Sequence, residues 1–347
     1  MKKQYVDALL QYYREHGRTL PWRSDPTPYH VWISEIMLQQ TRVETVKEYY
    51  HRFLKRCPDV ETLSGVPLEE LQVFWQGLGY YSRIRNILLA SQIVMNRYQG
   101  KLPDDYDSLR SLPGIGEYTA KAILSIAYQK KEIAVDGNLL RVYARLMASD
   151  EDIAKNSMKK KAEAYFRKYV PERPGDFVQA LMDLGEMVCL PNGMPLCEKC
   201  PLSSLCLAHH RKTETSFPVS MKKKNVRTEK KTILLFVYQD EVLIQKREDN
   251  GLLASLYEFC TLDGMRSSKD ISIYLKERKA EYSELYELEP QGFLFTHRRW
   301  EMTGYLITLA KRIDGQFVPI DRLKDYSIPN VFSYYRSLLL NQSKVSH

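Results

Sequence analysis

Apolar residues recur at three- and four-residue steps through the first two hundred or so positions of the chain. Val31, Trp32 and Ile36 form one such set, Ile87, Leu88, Ile93 and Val94 a second, and Ala122, Leu124 and Ile126 a third. This spacing gathers apolar side chains on one face of a helix. Turn signals separate the sets: Asp25-Pro26 and Thr27-Pro28, Cys57-Pro58, Leu102-Pro103-Asp104-Asp105, Leu112-Pro113, and the stretch from Pro171 to Gly175. The pattern predicts an all-α domain over residues 1–212.

The pattern then changes twice. His209 to Thr232 carries eight Lys/Arg against two Glu and little apolar content, which predicts an exposed basic linker over 213–231, a solvated tether or a strip along an anionic partner. After it the period becomes that of strands. Thr232–Tyr238, Glu241–Lys246 and Trp300–Leu309 are β-rich, with Gln239-Asp240 as a hairpin joint between the first two. Helices are predicted near Ser268–Lys279 and Asn330–Leu340. Residues 232–347 therefore predict a smaller α+β domain.

At 44% hydrophobic and 27% charged residues the chain is of folded rather than disordered composition. A net charge of +8 suits an anionic partner such as nucleic acid. No apolar run reaches membrane-spanning length, and Met1-Lys2-Lys3-Gln4-Tyr5 has no apolar stretch behind it, so a cytoplasmic protein is expected.

Four of the six cysteines, Cys189, Cys197, Cys200 and Cys206, crowd one loop-rich stretch. Metal binding in a reducing compartment explains this better than a disulfide framework. Only one Cys-x-x-Cys knuckle is present, Cys197 to Cys200, and the other two cysteines wrap it from both sides. That arrangement favours a [4Fe–4S] cluster over zinc. Lys199, His209, His210, Arg211 and Lys212 offer a positive rim, while Cys57 and Cys260 are expected to be packing residues.

Three further features carry chemistry. Leu112-Pro113-Gly114-Ile115-Gly116-Glu117-Tyr118-Thr119-Ala120 reads as a tight Gly-Ile-Gly turn opening a helix from Tyr118 to Tyr128. Its unpaired N–H groups at the helix's positive end suit one phosphate. Val135-Asp136-Gly137-Asn138 places a carboxylate one helix-length later. Glu35 shares a helix face with Val31, Trp32 and Gln39, where partial burial raises a carboxyl pKa. A phosphate anchor, an anion and a protonated acid suit an enzyme that grips a nucleic-acid backbone and stabilises positive charge on a sugar, the two-carboxylate logic of glycosidases.

With these residues in place, the chain resembles the adenine DNA glycosylases of the endonuclease III, helix-hairpin-helix superfamily. The resemblance runs nearly end to end: Pro21-Trp22-Arg23, Trp32-Ile33-Ser34-Glu35-Ile36-Met37-Leu38-Gln39-Gln40-Thr41-Arg42-Val43, Gly77-Leu78-Gly79-Tyr80-Tyr81-Ser82-Arg83, the hairpin, Val135-Asp136-Gly137-Asn138 and the cysteines fall in the family's order. It implies a six-helix barrel beside a cluster-bearing helical domain, with the active site in the cleft between, and a MutT (Nudix)-like second domain. One departure is in the cysteines. The family's usual spacing has six residues between the first two, whereas seven lie between Cys189 and Cys197.

The resemblance also implies roles. Glu35 protonates N7 of adenine and then helps activate water. Asp136 stabilises the sugar C1′, Asn138 orients Asp136, and Tyr118 hydrogen-bonds the two carboxylates. Tyr118 stands where lyase members carry a nucleophilic Lys, so base removal without strand cleavage is expected, with Lys121, one turn on, as a residual lyase candidate. Because the target base must leave the stack, Gln40 and Tyr80 are expected to fill or wedge the duplex. Arg23 and Thr41 are expected at the pocket and the opposite base, and Gly114 and Gly116 at the phosphate. Gly251 to Phe259 resembles a Nudix segment, but Cys260 to Lys276 lacks the catalytic Arg-Glu-x-x-Glu-Glu helix, which implies binding without nucleotide hydrolysis. Phe295-Thr296-His297 corresponds to the Phe-Ser-His loop that contacts 8-oxoguanine, with Arg298 and Arg299 following as phosphate contacts. The expected partner is double-stranded DNA with adenine opposite 8-oxoguanine or guanine, bound by a monomer. The alternative is a bifunctional endonuclease III-like lyase for oxidised pyrimidines.

Overall fold

Several helices in this chain start at a capping side chain. The computed structural model describes residues 2–221 and 226–342. The Thr27 hydroxyl accepts the His30 N–H at 3.2 Å, and Pro28 fills the first turn of helix Pro28–Leu38. Asp136 does the same for helix Gly137–Leu146, accepting the Leu139 N–H at 2.8 Å. Gly114 has a φ of +78°, and a Cβ there would lie 2.8 Å from the Asn86 Cβ, so the turn before helix Glu117–Ile126 needs glycine twice over.

The chain divides into two compact units. One comprises residues 1–66 with 85–222, the other residues 67–84 with 223–347. The first is helical. Helix Pro28–Leu38 packs on Glu117–Ile126, and helix Pro174–Met187 packs on Lys2–His16, Glu117–Ile126 and Gly137–Leu146. Trp32, Ile33 and Met37 are fully buried, so Pro28–Leu38 is a core helix that exposes almost nothing but the positions that reach the site.

The second unit is built on a mixed sheet of strands β1 (Arg227–Tyr238), β2 (Glu241–Lys246), β3 (Tyr257–Glu258), β4 (Cys260–Asp263), β5 (Tyr282–Leu294), β6 (Arg298–Leu309) and β7 (Gln316–Pro319). The path is β3-β2-β1-β6-β5, with β4 also paired to β1 and β7 to β2. β1 and β6 run parallel, and the other pairs are antiparallel. Ile233 and Leu235 face a core with Phe259, Trp300 and Phe332, whereas Leu234 and Phe236 face one with Ile271, Leu275 and Tyr305. Both faces are covered, which is why Ile233 to Val237 reads as an unbroken apolar run. Helix Ser268–Glu277 starts at a capping box of Ser267 and Asp270, and helix Ser333–Gln342 closes the unit.

The structure differs from the sequence reading in three places. Residues 67–84 belong to the second unit, not the first. The expected linker ends early: Arg227 to Lys231 are already in β1, paired with Arg298 to Met302 of β6, and this end of the strand is polar because it is largely exposed. Residues 222–225 of that linker lie outside the described residues. Finally, β5 was not foreseen. It is an edge strand, mostly exposed, whose Glu284, Glu287 and Glu289 mask its period.

Candidate active site

A cleft of about 580 Å³ in the first unit collects side chains from distant parts of the chain. Glu35, Gln40, Thr41, Tyr118, Asp136, Asn138 and Arg23 all line it. Helix Pro28–Leu38 carries Glu35, the first turn after the Gly-Ile-Gly hairpin carries Tyr118, and the N-terminus of Gly137–Leu146 carries Asp136 and Asn138.

Glu35 is 7% exposed. Burial first, then the Asp136 charge, push its carboxyl up to about 7, against a Tyr118 hydrogen bond and the Arg23 charge, which pull it down. The rise corresponds to roughly 3 kcal/mol against the ionised form, enough to leave about half the population protonated at neutral pH. Tyr118 is raised above its ordinary range by burial and by the charges of Glu35 and Asp136. Its hydroxyl donates to Glu35.

Asp136 is differently placed. Burial raises its pKa too, but three groups favour its anion. The Leu139 N–H donates to Oδ1 at 2.8 Å, the Asn138 amide donates to Oδ2 at 2.9 Å, and the Arg141 charge lies nearby. The contrast is chemically useful: one acid has few donors and is pushed up to about 7, while its neighbour, though also raised by burial, accepts fixed donors at a helix N-terminus that favour its anion.

The support continues behind Asn138. Arg141 donates to Asn138 Oδ1 at 2.7 Å, to the Gly185 carbonyl at 2.7 Å and to the Cys189 carbonyl at 2.7 Å. Asp136 is thus tied through two side chains to the backbone of the first cysteine. Arg141 went unremarked in the sequence, although its spacing of three from Asn138 is one helical turn. Arg18, Gln179 and Glu186 also line the cleft and were missed. Arg18 and Gln179 meet here only through tertiary folding, which no local pattern reveals.

Other predicted residues lie elsewhere. Gly114 and Gly116 form the hairpin turn, with Gly116 as the N-cap of Glu117–Ile126. Lys121 is not a free amine. Its Nζ lies 2.7 Å from both Glu117 and Glu163, so the residual lyase candidate is an ion-paired structural residue. In the second unit, Tyr80 has a φ of +49° and is 43% exposed, and its hydroxyl bonds the Thr296 hydroxyl. Phe295, Thr296 and His297 form the β5–β6 turn. The Phe295 N–H donates to the Arg298 carbonyl at 2.8 Å, and its ring packs on Phe293 and Trp300, leaving His297 exposed. Arg298 pairs with Glu229 at 3.2 Å.

Comparison with known proteins places this geometry. Residues 33–171 match the HhH-GPD superfamily of base excision DNA repair proteins, and residues 232–336 match a NUDIX domain. Adenine DNA glycosylase of Buchnera aphidicola subsp. Baizongia pistaciae is 34% identical over 307 residues, which cover 87% of this chain and 84% of that protein. The chain belongs to the adenine DNA glycosylase family. Adenine DNA glycosylase of Mus musculus is 43% identical over 213 residues, 58% of this chain and 41% of the longer mouse protein. Among solved structures, a thermostable thymine-DNA glycosylase aligns with a TM-score of 0.56 at 30% identity, covering 60% of this chain and 97% of its own. A trapped endonuclease III–DNA covalent intermediate aligns at 0.51 and 26%, covering 61% and 98%.

The family and the four clustered cysteines suggest a metal site in this loop. Cys200 accepts the Leu202 N–H, and Cys206 accepts those of Ala208 and His209. Arg145 donates to Cys189 Sγ at 3.2 Å. Such donors suit thiolates. Burial, then the charges of Glu214 and the neighbouring cysteines, push Cys197 up to about 11, and burial with the neighbouring cysteines pushes Cys200 up to about 12, an unfavourable crowding that a bound cationic centre would relieve. Of the expected positive rim, His209 is spoken for: its Nδ1 lies 2.7 Å from Glu214, and these two with Cys197 present ligand atoms within 4.8 Å of one another. Cys57 and Cys260 are buried. No helix among the described residues is long and apolar enough to cross a membrane.

Proposed function

We propose that this chain removes adenine mispaired with 8-oxoguanine or guanine from duplex DNA, by hydrolysis of the N-glycosidic bond and without strand cleavage. The observation that carries the reading is the pairing of a buried, proton-retaining Glu35 with a donor-held Asp136 in one cleft.

The everted adenine enters the cleft. Glu35 gives its proton to N7, which makes the base a neutral leaving group. As the C1′–N9 bond breaks, positive charge spreads over the sugar ring, and the Asp136 carboxylate faces it. The resulting Glu35 carboxylate, stabilised by the Tyr118 hydroxyl, takes a proton from the attacking water. Asn138 keeps Asp136 aimed throughout. A Tyr in place of an amine forms no Schiff base, and Lys121 is engaged by two glutamates. This disfavours the lyase alternative.

Gly114 and Gly116 offer backbone N–H groups to a phosphate, and Gln40, Thr41 and Arg23 contact the opened duplex from the cleft. Tyr80 is the wedge, and Phe295, Thr296 and His297 read 8-oxoguanine. Cys189, Cys197, Cys200 and Cys206 hold a [4Fe–4S] cluster, which when bound supplies the charge that orders the loop behind Arg141.

The test is a set of duplexes carrying adenine opposite 8-oxoguanine, guanine or thymine. Adenine release from the first two, with nicking only after alkali, is expected. Nicking without alkali, or release of oxidised pyrimidines in place of adenine, would contradict the reading.

A further inference from the structure

Beside the cleft sits a charge cluster whose carboxylate the mechanism above does not use. Asp183, on helix Pro174–Met187, has a side chain only 2% exposed. It accepts four hydrogen bonds. Two come from Arg18, from the backbone N–H to Oδ2 at 2.9 Å and from Nε to Oδ1 at 2.7 Å. Two come from Arg23 in a bidentate fork, at 2.7 Å to Oδ2 and 2.9 Å to Oδ1. Arg23 is further tied to the Arg18 carbonyl at 3.1 Å and lies over the Tyr13 ring. Both arginines line the cleft, and Arg23 faces Glu35.

A buried carboxylate with every lone pair engaged is costly unless its geometry matters. Two planar guanidinium groups on one carboxylate form a rigid plate. The plate carries one net positive charge, two cations less one anion, at a fixed place beside the proton donor. We propose that Asp183 is a positioning residue that fixes Arg18 and Arg23 in the cleft wall and sets the positive charge that Glu35 faces. The proposal rests on the role given to Glu35 above.

The sign follows from the groups around Glu35: Tyr118 from helix Glu117–Ile126, Asp136 from the start of Gly137–Leu146, and Arg23 from the turn Pro21–Ser24. Of these only Arg23 is a cation, and Asp183 partly cancels it. Neutralising Asp183 leaves the plate with two charges, strengthens the field on Glu35 and makes it a stronger acid. Neutralising Arg23 does the reverse. Because Glu35 must be protonated to act, its acid strength sets the pH at which activity is lost on the alkaline side.

The experiment is the single-turnover rate of adenine release against pH for the full chain, its Asp183→Asn variant and its Arg23→Gln variant. The midpoint of the alkaline loss is expected to move down by roughly one pH unit in Asp183→Asn and up in Arg23→Gln. Shifts of opposite sign are something a merely structural role does not produce. Should Asp183→Asn fail to fold, Arg23→Gln carries the test alone. A lower rate with an unmoved midpoint in a folded variant overturns the proposal. If the wild-type chain shows no alkaline loss, or Glu35→Gln keeps full activity, the fault lies in the role of Glu35 instead.

Discussion

The cleft of the first unit and the β5–β6 turn of the second, the two places the proposed function gives a base, are built in opposite ways. In the cleft, Glu35 is buried, Asp136 is held by an N-terminal amide and an Asn, and each supporting group is itself held, Asn138 by Arg141 and Arg141 by the Gly185 and Cys189 carbonyls. At the turn, one aromatic anchor packs inward, the Thr296 hydroxyl meets Tyr80, and His297 stays exposed. A proton donor near neutrality needs desolvation and fixed dipoles, so it requires a scaffold. A group that reads a base edge needs reach and a free donor or acceptor, so a turn suffices. Damage to the first should stop chemistry, and damage to the second should blur choice.

The sharpest way to break that contrast is Asp136→Asn. It removes the anion but keeps the shape, and is expected to lower the single-turnover rate by about 10³-fold with duplex binding retained. A rate near that of the wild type would take Asp136 out of the mechanism. Next comes the metal loop. Cys200→Ser is expected to lose bound iron, measured by visible absorbance and metal analysis, and to lower the melting temperature by several degrees or abolish folding. Unchanged iron content and stability would remove Cys200 from the ligand set. A smaller effect is expected from Asn138→Ala. It deletes one donor to Asp136 and one of the three acceptors of Arg141, and should slow adenine release roughly 10–100-fold with little change in melting temperature. An undiminished rate would show that the Leu139 N–H alone holds the carboxylate. The smallest effect belongs to the turn. Thr296→Ala with His297→Ala should shrink the preference for 8-oxoguanine over guanine by about 10-fold, roughly the value of one hydrogen bond to a base, and leave release opposite guanine intact. An unaltered ratio would place the reader elsewhere.

Much of this was legible in the sequence, for physical reasons that differ by residue. The Gly-Ile-Gly turn is local, written within a few positions, and Gly114 there does take a positive φ. The β-rich run from Thr232 to Tyr238 announced a strand; that both its faces are covered came only with the structure. What stayed hidden depended on long-range meeting. Asp183 joins Arg18 across 165 positions, and no periodicity signals that. Residues 67–84 look like any helical stretch, but their partners are in the second unit: the Gln76 amide donates to the Ile328 carbonyl at 3.0 Å, and Lys246 pairs with Glu69 at 2.9 Å. Lys121 looked available until its two glutamates were seen.

The central claim is that Glu35 enters the reaction carrying a proton. The direct measurement is the pH–rate profile of adenine release from a duplex with adenine opposite 8-oxoguanine, for the wild-type chain beside Glu35→Gln. A carboxyl raised by burial to about 7 is protonated below that pH and loses its proton above it. The wild-type rate should therefore fall on the alkaline side of about 7, and the variant should lie at least 100-fold lower with that limb gone. A Glu35→Gln profile that matches the wild type in height and shape would contradict the account.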